Sequence, residues 1–230
     1  MVKILIVGLG SIGRTHLENL LQFKNVNIIV YTKRTDLNSF VEQGVKIFDS
    51  LTKCLEENPD VAIITNETSL HVPIAIKLAK KGLDLFIEKP LSHSVKDVKE
   101  LQSIVKKKKL ITQMGCNLRF HPCITKIRQL VLQNKIGKVI SIQSELGTYL
   151  PDWHPKEDYS QGYASKKNLG GGVILTMIHD IDYLYWIFGN PHSLFSISGK
   201  FSDLKISSED YCSGIICFKK NLCAVENCGL

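Results

Sequence analysis

The stretch "VKILIVGLGSIGRTHLENLLQF", residues 2–23, places a strand, a glycine turn and a helix in immediate succession. Val2 to Val7 is a continuous aliphatic run rich in β-branched residues, the pattern of a strand buried on both faces. "GLGSIG", Gly8 to Gly13, follows directly, and Ser11 opens a helix predicted to run to Phe23. Each glycine has its own task. Gly8 permits the tight turn, Gly10 lets the main chain approach a pyrophosphate, and Gly13 lets the helix pack close to the strand. Ser11 and Ile12 then lie at a helix N-terminus whose N–H groups face the phosphates. A lone G-x-G-x-x-G is a weak signal, and its weight comes from the elements around it.

Further strands are predicted at Asn27 to Tyr31, Val61 to Ile64, Leu83 to Ile87 and Leu110 to Met114, with helices at Leu70 to Lys81 and Ser94 to Lys107. Strands separated by helices of this length make parallel βαβ units, hence an α/β, doubly wound Rossmann sheet with ligands at the carboxyl ends of its strands. After about residue 118 the pattern changes. A helix from Pro122 to Gln133 leads into a long alternating strand, Val139 to Gly147, and then a polar, aromatic loop, "TYLPDWHPKEDYSQGYASKKN". An apolar helical run, "GGGVILTMIHDIDYLYW" at 170–186, precedes several strand-like runs. Residues 1–118 are therefore expected to form the dinucleotide-binding domain. Residues 119–230 are expected to form a second α+β domain on an open, mostly antiparallel sheet. The last run, "NLCAVENCGL", is still strand-like where the sequence stops, so this second domain is expected to be incomplete.

Composition narrows the class. The 230 residues are 44% hydrophobic and 22% charged, ordinary for a globular chain. The longest apolar runs are too short to span a bilayer, and "MVKILIVGLG" lacks the apolar length and cleavage site of a signal peptide, so a cytoplasmic protein with no membrane partner is expected. Seven cysteines with no CxxC pair fit reduced thiols. Cys212, Cys217, Cys223 and Cys228 cluster, but their spacing is wide and no histidine lies among them, so no metal site is expected. Much of the net charge of +7 comes from "KKKK" at 106–109, a cationic helix end without interleaved aromatics. That pattern argues against nucleic acid and leaves an attraction for anionic ligands.

The end of the second strand bears on the cofactor. An NAD site usually has Asp or Glu there for the ribose hydroxyls, whereas this chain reads "VYTKR", with Thr32, Lys33 and Arg34. Two cations and no carboxylate favour the 2′-phosphate of NADP over NAD, unless both are merely surface loop residues.

Four further motifs stand in order along the chain: "TNETSLH" (65–71), "FIEKPLS" (86–92), "GCNLRFHP" (115–122) and "GGGVILTMIHDID" (170–182). Together with "GLGSIG" they resemble the Gfo/Idh/MocA family, the relatives of glucose–fructose oxidoreductase and inositol dehydrogenase. The resemblance implies a Rossmann domain, a second domain whose open sheet mediates homo-oligomers, and hydride transfer between a nicotinamide and a hydroxyl or ketone of a sugar, nucleotide sugar or polyol. Lys89 matches the lysine of the family's EKP motif, which contacts substrate and tunes proton transfer, and His179 matches its acid/base position. By the same resemblance Thr65, Asn66, Thr68, His71, Glu88, Lys89, Pro90 and Asn117 join the glycine loop in holding cofactor. Arg119, Trp153, Tyr163, Thr176 and Asp182 are implied on the substrate side, Asn117 and Arg119 falling in a segment that joins the two domains. The loop "YLPDWHPKEDY" looks most like relatives acting on nucleotide sugars or surface polysaccharide precursors.

The chain departs from the family in two ways. Many relatives carry an aspartate three or four residues before the histidine, where this chain has Thr176 and Leu175, and family chains usually run on well past this length. On the predicted helix Ile174, Ile178, Ile181 and Tyr185 share one stripe, while Thr176, His179, Asp182 and Tyr183 lie towards another. Two other readings compete. Tyr163 and Lys167 have the spacing of a short-chain dehydrogenase pair, but "NLGGG" would break the helix that pair must share. A truncated, inactive dinucleotide-binding sensor or scaffold is the non-enzyme alternative.

Overall fold

A computed structural model describes residues 1–35, 37–153, 155, 158–219 and 222–230. The chain divides into two units, Met1–Gly115 and Cys116–Leu230.

In the first unit the order is β1 (Val2–Val7), α1 (Ser11–Leu20), β2 (Val26–Tyr31), α2 (Asn38–Glu42), β3 (Lys46–Phe48), α3 (Leu51–Glu56), β4 (Val61–Ile64), α4 (His71–Lys81), β5 (Asp84–Ile87), α5 (Val98–Lys108) and β6 (Thr112–Met114). The strands form one parallel sheet in the order β3-β2-β1-β4-β5-β6, with Val7 beside Tyr31 on one side and Ile64 on the other. Alternation along β1 explains the two layers. Leu5 and Val7 join Ala75, Leu78 and Ala79 of α4 and Leu101 of α5 in one apolar cluster, while Ile6 joins Leu17 of α1 and Phe40 of α2 in another. Both faces are covered, as parallel sheets require. Helix α4 ends at Gly82, whose φ of +96° lets Leu83 N–H close back on Leu78 O at 3.3 Å. The lysine run sits where its charge predicts, in the last turn and C-cap of α5. Elements α2, β3 and α3 escape the sequence reading because each is too short to show a period.

The second unit contains α6 (Pro122–Leu132), β7 (Ser141–Gly147), α7 (Leu150–Trp153), α8 (Val173–Thr176), α9 (His179–Phe188), β8 (Pro191–Gly199), β9 (Tyr211–Phe218) and β10 (Leu222–Gly229). Its sheet runs β7-β10-β9-β8, with the β7–β10 pair parallel and the other two pairs antiparallel. Leu184 of α9 packs against Ile216, Phe218, Leu222 and Ala224 on one sheet face. The opposite face is open, with Phe195 68%, Ile197 60% and Ile215 42% exposed.

The single helix expected over the "GGGVILTMIHDIDYLYW" run is corrected to two. Helix α8 stops at Thr176, Met177 and Ile178 form a break, and α9 begins at His179. The reason lies in the packing. Val173 and Met177 belong to a cluster with Leu150 and Cys228, whereas Ile181 and Leu184 follow the separate cluster against the sheet. Each half turns towards its own core, so the two expected stripes do not run the length of one helix. The 3₁₀ turns at Tyr163–Ser165 and Lys167–Leu169 likewise put Tyr163 and Lys167 on no common α-helix.

Candidate cofactor and catalytic sites

The first unit gathers its polar groups at the carboxyl ends of β1, β2, β4 and β5, around the point where strand order reverses between β1 and β4. Gly8 has φ +96°, and a Cβ there would lie 2.8 Å from the main chain of Asn66. At Gly13 a Cβ would meet Gly8 O at 2.5 Å and Thr65 Oγ1 at 2.8 Å, so α1 packs on the strand end as the motif predicts. Gly10 differs, because a Cβ there would meet nothing within 4 Å among the described residues. Helix α1 carries no side-chain cap, and Ser11 and Ile12 are exposed. An uncapped helix start beside open space fits a pyrophosphate.

Beyond β4, both polar side-chain atoms of Asn66 are buried with no hydrogen-bond partner among the described residues. Such atoms are rare unless a ligand or water completes them. Thr65 and His71 are engaged by the protein itself. The Thr65 hydroxyl donates to Gly8 O (2.9 Å) and Val7 O (3.1 Å). The His71 ring, 2% exposed, contacts Pro90 O at 2.8 Å and Asn66 O at 2.9 Å. Burial lowers its pKa against the opposing pull of those carbonyls. Thr65 thus ties the end of β4 to the glycine loop, His71 lies between the loops that carry Asn66 and Pro90, and Thr68 is buried.

Glu88 is similarly engaged. Its Oε1 lies 2.8 Å from His16 Nε2 of α1, and its Oε2 accepts from Lys89 N–H at 3.1 Å. Gly115 leaves room for that carboxylate, since a Cβ there would lie 2.7 Å from Oε2. Nothing in the sequence singles out His16; its partner lies 72 residues away and no local pattern marks it. Lys89 is half-buried, and its peptide bond to Pro90 is cis.

At the end of β2, Thr32 is buried and accepts Arg34 N–H through Oγ1 at 3.2 Å. Thr32, Lys33, Arg34 and Thr35 line an open cleft of about 530 Å³ with Asp49 and Lys53, neither foreseen from the sequence.

In the second unit His179 is half-buried at the first residue of α9. Asp182 is held by Arg119 through two contacts, Nε to Oδ2 at 2.8 Å and Nη2 to Oδ1 at 2.6 Å, and this pairing raises the arginine pKa. The guanidinium groups of Arg119 and Arg128 lie 5.9 and 4.4 Å from the Trp186 ring centroid. Arg119 and Asp182, expected to face substrate, thus bind each other. Asp180 is buried and accepts the Ser144 hydroxyl at 2.7 Å; Tyr183 OH lies 2.9 Å from the same Ser144 oxygen. Asp182 and Tyr185 line an apolar cleft of about 340 Å³ with Ile178, Ile181, Pro191 and Phe218. Trp153 donates Nε1–H to Thr148 Oγ1 at 2.6 Å, Thr176 is buried, and Tyr163 and Asn117 are exposed. His154, Lys156 and Glu157 of the aromatic loop lie outside the described residues. No cluster of metal-ligating side chains occurs among the described residues, and no helix among them is long and apolar enough to cross a membrane.

A parallel sheet in this order, with a glycine loop at its switch point, defines a dinucleotide-binding Rossmann fold. The particular family follows from comparison. Residues 2–116 match the model described as "Oxidoreductase family, NAD-binding Rossmann fold", and residues 124–229 match the GFO/IDH/MocA C-terminal domain. The chain belongs to the Gfo/Idh/MocA oxidoreductase family. Among curated relatives, the myo-inositol 2-dehydrogenase of Thermotoga maritima is 29% identical over 194 residues, covering 82% of this chain and 55% of that protein. The scyllo-inositol 2-dehydrogenase (NAD(+)) of Bacillus subtilis is 28% identical over 204 residues, covering 86% of this chain and 56% of that protein. The chain thus spans about half the length of these relatives. A solved structure of a "probable dehydrogenase" from Thermotoga maritima superposes with a TM-score of 0.82 at 26% identity, over 99% of this chain and 68% of that one.

Proposed function

We propose that the chain is the dinucleotide-binding and catalytic part of an oxidoreductase that moves a hydride between a nicotinamide and a secondary alcohol or ketone of a sugar-type substrate. The observation that carries the reading is the open, uncapped start of α1 at Gly10, with Asn66 unpartnered beyond β4. The bound nicotinamide supplies the hydride chemistry, and the rest falls to the protein. Ser11 and Ile12 N–H groups hold the pyrophosphate, and Asn66 accepts and donates to cofactor. A proton must move at the substrate oxygen as the hydride moves at its carbon, which calls for a group titrating near neutrality and a cation for the developing charge. His179 takes the first role and Lys89 the second.

The cofactor is NADP in preference to NAD, on the strength of the cleft that Lys33, Arg34 and Lys53 line beyond β2. Arg34→Ala is expected to weaken NADPH binding about tenfold at moderate salt and to leave NADH unchanged; equal losses for both exclude the 2′-phosphate assignment. The substrate class is a polyol, sugar or nucleotide sugar, in keeping with the inositol dehydrogenase relatives and the aromatic loop at 149–159. The open face of β8 to β10 is proposed to pair with a second copy, and the cytoplasm is the proposed location because free cysteines fit a reducing compartment.

Steady-state turnover on a panel of polyols and nucleotide sugars tests the chemistry. His179→Ala and Lys89→Ala are each expected to lower kcat about a hundredfold or more while cofactor affinity holds. Wild-type rates in both variants, or no turnover with any sugar-type substrate, replace this reading with a cofactor-binding sensor or scaffold. Thr176 and Leu175, where many relatives carry aspartate, are what favour that second reading.

A further inference from the structure

Strands β9 and β10 carry four of the seven cysteines, and the register sets them face to face: Cys212 opposite Cys228, and Cys217 opposite Cys223. The two pairs lie on opposite faces of the sheet, because each strand separates its two cysteines by five residues. Cys228 is 4% exposed and packs in the cluster around Val173 and Met177, where burial pushes its thiol up to about 12. Cys217 and Cys223 are half-exposed on the open face, and their sulfurs are 3.1 Å apart.

The backbone fixes what kind of pair this is. Leu230 N–H donates to Asp210 O at 2.8 Å, which makes 210/230 a hydrogen-bonded pair of the antiparallel ladder. Gly229 turns its carbonyl the other way, to Thr148 N–H at 3.1 Å. Pair type alternates along the ladder, so 217/223, at odd positions like 211/229, is a non-hydrogen-bonded pair. Such positions bring Cα atoms to about 4.5 Å and side chains close together, inside the range of about 4.4–6.8 Å that a disulfide accepts. The adjacent strands place only hydroxyl side chains alongside, Ser193 opposite Cys217 and Ser141 opposite Cys223.

We propose that Cys217 and Cys223 form a reversible disulfide on the open face of the second unit while that face is not paired with a second copy, driven by exchange with a low-molecular-weight disulfide such as oxidised glutathione. The thiolate of one cysteine attacks the glutathione disulfide, forming a protein–glutathione mixed disulfide and releasing one glutathione thiolate. The neighbouring thiol then loses its proton to solvent and attacks the protein sulfur of the mixed disulfide, releasing the second glutathione. Two protein thiols are oxidised, one glutathione disulfide is reduced to two thiols, and the protons are conserved. In the Cys212/Cys228 pair Cys228 is buried and Cys212 half-buried, and that burial raises both thiol pKa values, so this pair stays reduced.

The test equilibrates the whole chain in oxidised and reduced glutathione, blocks free thiols with N-ethylmaleimide and reads intact and tryptic masses. Trypsin cuts after Lys219 and Lys220, so closure links two peptides, and fragmentation of the linked pair assigns the sulfurs without any mutation. The expected wild-type product has one internal Cys217–Cys223 bond and no glutathione on either of those sulfurs, any adduct on the exposed Cys123 or half-exposed Cys116 being resolved by peptide mass. Cys217→Ser is expected to stall at the mixed disulfide and carry one glutathione on Cys223, and a Cys212→Ser, Cys228→Ser variant is expected to close as the wild type does. Persistent glutathione adducts on Cys217 or Cys223 of the wild type, a chain-to-chain cross-link through either of them, or a bond assigned to Cys212 and Cys228 overturns the proposal.

Discussion

Glu226 offers a pH test of the second unit's core. It lies on β10, 5% exposed, its Oε2 has no hydrogen-bond partner among the described residues, and it feels the charge of Asp180. Burial first, and Asp180 second, raise its pKa from 4.5 to about 7, and a contact with the Ser144 hydroxyl offsets them only in part. At about 1.4 kcal/mol for each tenfold change in proton affinity, this rise corresponds to about 3 kcal/mol. The direction follows from linkage. Below pH 4.5 both folded and unfolded chains hold the proton and nothing is lost. Between pH 4.5 and 7 the unfolded chain has released a proton that the native chain retains, so stability falls as pH rises. Above pH 7 the loss is complete. Glu226→Gln removes the titration and supplies an amide that can donate to the Asp180 carboxylate. Urea unfolding at pH 4.5 and pH 8.5 is therefore expected to find the variant close to wild type at the lower pH and up to about 3 kcal/mol more stable at the higher. A stability difference that stays constant across that range, or a variant weaker than wild type at pH 8.5, refutes this account of Glu226.

Gly13→Ala places a Cβ 2.5 Å from Gly8 O and should destabilise the first unit by about 1–3 kcal/mol, measured by thermal melting, while Gly10→Ala, facing open space, should fold normally and weaken dinucleotide binding instead. Arg119→Ala leaves the carboxylate of Asp182, whose side chain is 14% exposed, without its partner, and should cost about 1–3 kcal/mol in urea unfolding. A double-mutant cycle with Asp182→Asn that shows no coupling counts against the pair. Phe195→Asp on the open sheet face should abolish concentration-dependent association in sedimentation velocity without lowering the melting temperature; unchanged association moves the proposed contact elsewhere.

The parts of the fold legible in the sequence are those that a short segment dictates by itself. Val2 to Val7, the glycine loop and α1 follow from an aliphatic run and three small residues, and the same holds for β4 and for the α4 helix that Gly82 closes. Segments of three to six residues, α2, β3 and α3, carry too few positions for a period to appear, and tertiary packing of Phe40 and Cys54 decides them. The break at Met177 and Ile178 is illegible for another reason. Apolar residues recur at helical spacing on both sides of the break, so no local signal marks where one core ends and the next begins, and the 3.6-residue period continues across a point the chain does not follow.

The site divides along the same line. Glycine geometry is a property of the backbone at one position, so the spacing of Gly8, Gly10 and Gly13 points to it directly: a Cβ at Gly8 or Gly13 would collide with its neighbours, and Gly10 faces open space among the described residues. Polar side chains act through partners far off in sequence. The motif residues Thr65, His71 and Glu88 are expected to face cofactor, yet they bind Gly8 O, Pro90 O and His16, and Arg119 binds Asp182 across 63 residues. A motif fixes which residues matter and leaves open whether each touches the ligand or holds the residue that does. Asn66 marks the difference, because it alone of the "TNETSLH" side chains is buried with both polar atoms unpartnered among the described residues. Asn66→Ala is therefore expected to weaken nicotinamide dinucleotide binding without loss of stability, whereas His71→Ala should lower the melting temperature, since it removes a buried ring and unpairs whichever of Pro90 O and Asn66 O takes its one N–H. Isothermal titration and thermal melting of the two variants separate the roles, and a destabilised Asn66→Ala places that side chain with the braces.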